Sequence, residues 1–210
     1  MDKQFSLSIL GLDNLILDNS NRKFATYLEL GWDEKNIKNF ISKKENIMRI
    51  ASFNTTKVNF TASSRRNRYY DIYNRKDMLE HDILFSKCSD VIKLLSKDFK
   101  IFLVSLRTKD LEDKTLSVLK NLGFPVEMVD FSFKKNFEPI QSYKRTCLKN
   151  IRNEVPSGIS VILNPDDSML LDEFDGYSTV GFSSIKNKED FSIEVVCQNW
   201  REIKSSISQS

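Results

Sequence analysis

Cysteine, histidine, glycine and proline are all scarce in this chain, neither sign of charge dominates, and no apolar run is long. The three cysteines, Cys88, Cys147 and Cys197, fit neither a paired disulfide framework nor the close CxxC spacing of zinc sites. Reduced, mostly buried thiols are expected. The only histidine, His81, has Cys88 nearby in sequence but no recognisable triad partner, so a packed or surface role is expected for it. Six glycines and four prolines make no low-complexity linker, and no fixed-period repeat occurs. Against 29 Asp and Glu stand 32 Lys and Arg, and a net charge of +3 is too small for nucleic-acid binding across the whole surface. Any basic function must be local. No stretch approaches the roughly 18 apolar residues of a membrane span. The N-terminal run MDKQFSLSILGLDNLILDN is broken by Asp13 and Asn14 and meets no small-residue cleavage site, so a cytoplasmic protein with no membrane partner is expected.

With 40% hydrophobic and 29% charged residues in a length of 210, the chain can bury one substantial core and one smaller accessory unit. Short runs rich in Ile, Val, Leu and Phe occur at 5–10, 100–105, 125–130, 159–163, 178–182 and 193–196. Most are nearly continuously apolar, which suits strands buried on both faces in a parallel sheet. Helical periodicity fills the gaps. Leu111, Val118, Leu119 and Leu122 form one stripe that stops at Gly123 and Pro125, and Tyr143, Cys147, Leu148 and Ile151 form another. The pattern predicts an α/β fold, a Rossmann-like doubly wound parallel sheet. Between the first two strands lie about ninety residues, far more than one crossover helix requires. Residues 19–90 are therefore expected to form an inserted, mainly helical unit, with 1–18 and 91–210 forming the core.

In an open parallel sheet, ligands bind beyond the carboxyl ends of the strands, so the residues just after each strand carry the chemistry. After the first strand come Gly11, Leu12, Asp13 and Asn14. Ser105, Leu106, Arg107 and Thr108 follow the second, and Asn164, Pro165, Asp166, Asp167 and Ser168 follow the fourth. Lys144, or alternately Lys135, lies between the third and fourth. Carboxylates at neighbouring strand ends can hold a hard cation such as Mg²⁺, while a hydroxyl, backbone amides and a lysine neutralise a phosphate. Together they describe a phosphoryl site.

These residues resemble the motifs of the haloacid dehalogenase-like (HAD) superfamily, whose phosphatases carry hhhhDxDGT, a strand-end Ser or Thr, a Lys and an acidic GDxxxxD. Leu10 to Leu15 looks like the first motif, Val104 to Arg107 like the second, and Asp167 to Asp172 like the fourth. Ile193 to Val196, then Trp200 to Ile203, look like the family's last strand and closing helix, and the insertion like its cap. The resemblance implies that Asp13 holds the acid/base position, that Ser105, Lys144 (alternately Lys135) and Asn14 bind phosphate, and that Asp167 or Asp166 faces a metal. The matching position for the nucleophilic Asp is Gly11, which has no side chain to attack phosphorus or ligate Mg²⁺. Any Mg²⁺ site is weakened by one carboxylate. The expectation is a phosphatase-like pseudoenzyme, non-catalytic or weakly active, that binds a phosphorylated small molecule or anion in a binding or regulatory role. The competing reading is a magnesium-dependent phosphomonoester hydrolase with a non-standard nucleophile.

Each residue also has a plainer use. Ser105 can form a turn or cap, Asp166 and Asp167 can do the same after Pro165, and Asp13 can bond loop amides. The segment from Arg65 to Lys76 holds five basic residues, one acid and three of the chain's six tyrosines. Arg65, Arg66, Arg68 and Tyr69 are candidate contacts for substrate, nucleic acid or an acidic protein partner, since Arg pairs with phosphate and aromatic rings stack on bases. The alternative is a solvated helix face with tyrosines turned inward.

Overall fold

Successive side chains of a strand point to opposite faces, and in the central strand of this protein both faces are buried. Leu7 and Ile9 join one apolar cluster and Leu10 joins another. A computed structural model describes residues 5–42, 62–155, 158–164, 178–182 and 195–207. The elements in chain order are β1 (Phe5–Leu10), β2 (Leu17–Asp18), α1 (Ser20–Glu29), α2 (Glu34–Ser42), α3 (Ala62–Tyr73), β3 (Ile83–Leu84), α4 (Cys88–Leu95) and β4 (Phe99–Thr108). They continue with α5 (Glu112–Asn121), β5 (Val129–Lys134), α6 (Ile140–Glu154), β6 (Ile159–Leu163), β7 (Ser178–Phe182), β8 (Val196–Cys197) and α7 (Trp200–Ile207). By contacts the chain divides into two compact units, Met1–Asp18 with Leu84–Ser210, and Asn19–Ile83.

The larger unit is built on a six-stranded sheet in the order β5-β4-β1-β6-β7-β8, and every pairing is parallel. This is the doubly wound arrangement, with β1 flanked by β4 and β6 where the winding direction reverses. Ile101 and Leu103 of β4 share one face with α4, α7 and Leu119 of α5. Phe102 and Val104 share the other with Tyr143, Cys147, Leu148 and Ile151 of α6. Apolar residues at successive positions are thus required, because both faces are covered. All three cysteines are buried.

The third strand begins later than its apolar run suggests. Residues 126–128 form a 3₁₀ turn in which Met128 N–H donates to Pro125 O, and β5 starts at Val129. Proline has no N–H to give a ladder, so the strand starts beyond it. Within residues 78–95 the chain is likewise not one helix. A 3₁₀ turn at Met78–His81 ends where Asp82 is extended, Phe85 N–H donates to Ile16 O, and Lys87 takes a left-handed φ of +67° before α4. The run 193–196 is described only from residue 195, and β8 occupies Val196–Cys197.

The smaller unit has its own core of Tyr27, Ile37, Tyr69 and Tyr73, with Phe24, Leu30 and Trp32 packed against it. At its centre is Arg22, wholly buried. Its Nη2 donates to Tyr73 Oη at 2.7 Å, and Asn19 Nδ2 donates to the same oxygen at 2.6 Å. Arg22 Nε lies 3.1 Å from Asp82 Oδ1, an ion pair without the alignment of a hydrogen bond, and both side chains are shut off from solvent.

Candidate functional site

The reversal of winding direction beside β1 leaves a crevice at the strand ends. There the larger unit holds a cavity of about 190 Å³ lined by Leu10, Gly11, Leu12, Asp13, Asn14, Leu106, Lys144 and Asn164. The loop after β1 is tightly built. Gly11 has a φ of +149°, a conformation that side chains with a Cβ rarely adopt, and Asn14 takes a left-handed φ of +66°. Ile16 and Leu17 N–H both donate to Leu12 O, and Asn14 N–H donates to Leu17 O. Trp200 of α7 fastens the loop from below, its Nε1 donating to Leu15 O at 2.8 Å.

Asp13 is placed by an ion pair. Arg107 Nη2 lies 2.6 Å from Asp13 Oδ1, with the Arg107 side chain 3% and the Asp13 side chain 27% exposed. A second guanidinium nitrogen of Arg107 donates to Thr115 Oγ1 at 3.3 Å. Removing one partner of a buried pair strands the other charge, at a cost of about 3–5 kcal/mol when both are fully buried and less where, as at Asp13, one is partly solvated. The backbone carbonyl of Asp13 accepts from Asn164 Nδ2 at 3.4 Å. Both the carboxylate and the carbonyl of Asp13 therefore already face N–H donors.

Among the expected phosphate contacts, the structure brings Lys144 and Asn14 to the cavity wall. Lys144 stands one turn inside α6 and is only 2% exposed, whereas Lys135 is exposed on the turn after β5, with its N–H donating to Glu138 Oε2. Ser105 is fully buried but does not line the cavity. Its Oγ accepts the N–H of Arg107 at 3.1 Å, so the hydroxyl serves the strand end. Asp166 and Asp167 lie outside the described residues. Arg65 and Arg66 stand on α3, with side chains outside the described residues, and Arg68 is exposed there. Tyr69 is 4% exposed in the tyrosine core, where its ring stacks on Tyr73 at 5.4 Å, so it is not offered at the surface as a contact. Burial pushes the phenols of Tyr27 and Tyr69 well up.

Sequence reasoning passed over Arg107 as a site residue. The signal was there, since Ser105 and Arg107 share one face of an extended strand, but β4 runs on to Thr108 instead of ending at Ser105. The described donors alone make no complete Mg²⁺ site, and Asp166 and Asp167, the carboxylates expected to face a metal, are not among them. Among the described residues no group of three or more His, Cys, Asp or Glu converges, and the cavity wall has one carboxylate, already held by Arg107. A magnesium ion needs a near-octahedral set of oxygens.

No family model matches the chain, and no curated protein matches it in sequence. Solved structures do. A haloacid dehalogenase-like family hydrolase from Streptococcus pneumoniae superimposes with a TM-score of 0.66 at 17% identity, over 98% of this chain and 100% of that one. A HAD-superfamily hydrolase of subfamily IA from Geobacter sulfurreducens gives 0.60 at 12%, covering 97% and 96%. A HAD family hydrolase from Deinococcus radiodurans, solved with bound phosphate and sodium, gives 0.60 at 9%, covering 99% and 97%. The chain has the haloacid dehalogenase-like fold. Among the described residues no helix is long and apolar enough to cross a membrane.

Proposed function

We propose that this protein binds a phosphorylated small molecule, or a related anion, in the cavity after β1 and does not turn it over through an aspartyl-phosphate. The observation that carries this is the pairing of Asp13 with Arg107 beside a glycine at the nucleophile position. Covalent phosphoryl transfer needs a nucleophile, and Gly11 supplies none. An acid/base group must reach the leaving oxygen, yet Oδ1 of Asp13 is engaged with a guanidinium. Lys144 supplies the charge that suits a phosphate, and phosphate is also what the Deinococcus radiodurans relative of this fold holds.

The test is release of phosphate from an aryl phosphate, with and without Mg²⁺, by the native protein. No release above the buffer rate is expected in either case. Metal-dependent release that disappears in Asp13→Asn would overturn the reading and favour a magnesium-dependent hydrolase in which an activated water attacks phosphorus.

A further inference from the structure

We infer that two copies of this chain associate through β5, its outer edge pairing antiparallel with the same edge of a second copy about a two-fold axis at Ser132. β5 ends the sheet, and among the described residues only β4 pairs with it. In a strand bonded on one side, every second residue turns its N–H and C=O outward, which makes a template for another strand. The six residues Val129–Lys134 hold no proline, and their two charged members, which blunt the edge toward most partners, are complementary to each other.

Pairing about Ser132 sets Asp130 opposite Lys134 of the second copy and Phe131 opposite its Phe133, each twice over. Opposite charges and aromatic rings directly across two strands are the favourable pairs. Moving the axis to residue 131 or 133 sets Asp130 opposite Ser132 or Asn136 instead, so the charges select one register. Lys134 Nζ is fixed at the strand end by the Lys135 and Glu138 carbonyls, at 2.8 and 3.1 Å. The Asp130 side chain is 62% exposed, and Lys100, 3.5 Å from it, is shared with Glu154. Phe131 and Phe133 already stack within one copy, with centroids 6.1 Å apart, so two copies line up four rings.

Both ends of this edge carry exposed apolar side chains. Phe137, on the turn after β5, is fully exposed and has a left-handed φ of +62°, a conformation rare for a bulky residue. The turn is tied, since Glu138 N–H donates to Lys135 O at 3.3 Å and Lys135 N–H donates to Glu138 Oε2 at 3.0 Å. A single chain gains nothing from an apolar ring that is both strained and wet, whereas contact with a second copy buries it. Met128, just before β5, is 41% exposed. Because Phe137 follows Ser132 by about as many positions as Met128 precedes it, the two-fold axis brings Phe137 of one copy beside Met128 of the other at both ends.

The experiment is the mass of the full chain in solution, by light scattering and sedimentation, at concentrations up to about 1 mM. The mass should rise with concentration toward that of two chains, because an interface one strand long is small. Phe137→Gly relieves the backbone, so it should leave the single chain at least as stable in urea while weakening association about tenfold or more. Met128→Lys should weaken association likewise. The register is read by mixing Asp130→Cys with Lys134→Cys. Under mild oxidation the mixed pair should cross-link and neither variant should cross-link with itself, since only the mixed pair sets two thiols opposite each other. The mass of one chain at every concentration overturns the inference. So does a dimer that neither Phe137→Gly nor Met128→Lys weakens, or one in which the mixed disulfide does not form. Should Lys134→Cys not fold, the two exposed variants decide the matter. None of these outcomes bears on the phosphate reading.

Discussion

Gly11 has a backbone that an aspartate would strain. Its φ is +149°, and a Cβ built there would lie 3.3 Å from Leu15 Cδ1 and 3.6 Å from Asn164 Nδ2. Restoring the carboxylate by Gly11→Asp therefore does more than add a nucleophile, since the loop must move to admit it. We expect this variant to lose about 1–3 kcal/mol of stability in urea unfolding, the usual cost of a side chain in a sparsely populated region, and to gain no phosphatase activity. A variant as stable as the native protein that also releases phosphate would show that the loop relaxes into the nucleophile's geometry.

At the scale of elements, the smaller unit is closed by the buried pair of Arg22 with Asp82. Arg22 of α1 meets Asp82, just after the 3₁₀ turn that precedes β3, and Tyr73 at the end of α3, so three separate pieces of chain converge on one guanidinium. The guanidinium also lies over the Tyr73 ring, 3.9 Å from its centroid. Arg22→Met should destabilise this unit by about 3–5 kcal/mol, because Asp82 is left buried without its counter-charge. Adding Asp82→Leu to Arg22→Met should recover much of that loss. Thermal unfolding of the two variants checks this, and equal losses in both would mean that packing, not charge, sets the cost. The inward turn of Tyr69 and Tyr73 is what helical spacing four residues apart produces, since such residues share a face.

For the whole molecule, both units bury phenols whose titration is pushed up by desolvation, Tyr27 and Tyr69 in one and Tyr143 in the other. The ordinary value is 10.0, so above it the unfolded chain releases protons that the folded chain keeps. Stability from these groups is complete below about pH 10 and is lost as pH rises further, by up to about 1.4 kcal/mol per pH unit for each such tyrosine. Urea midpoints at about pH 8 and about pH 11 should differ accordingly, with the alkaline midpoint lower. Unchanged midpoints would place these phenols in contact with water.

Periodicity alone determined the α/β class and the runs that became β1, β6 and β7, and strand-end position drew attention to Gly11, Asp13 and Lys144. These follow from sequence because burial on both faces of a parallel sheet writes itself into continuous apolar runs, and because strand ends are where such sheets bind ligands. Tertiary structure alone decided that Ser105 turns its hydroxyl to the Arg107 amide, that Lys144 and not Lys135 reaches the cavity, and that Asp13 is paired with Arg107. Asp13 and Arg107 stand 94 positions apart in the chain, and no local pattern of residues encodes a contact across neighbouring strands. That contact depends on the parallel register of β1 with β4, which exists only once the sheet has formed.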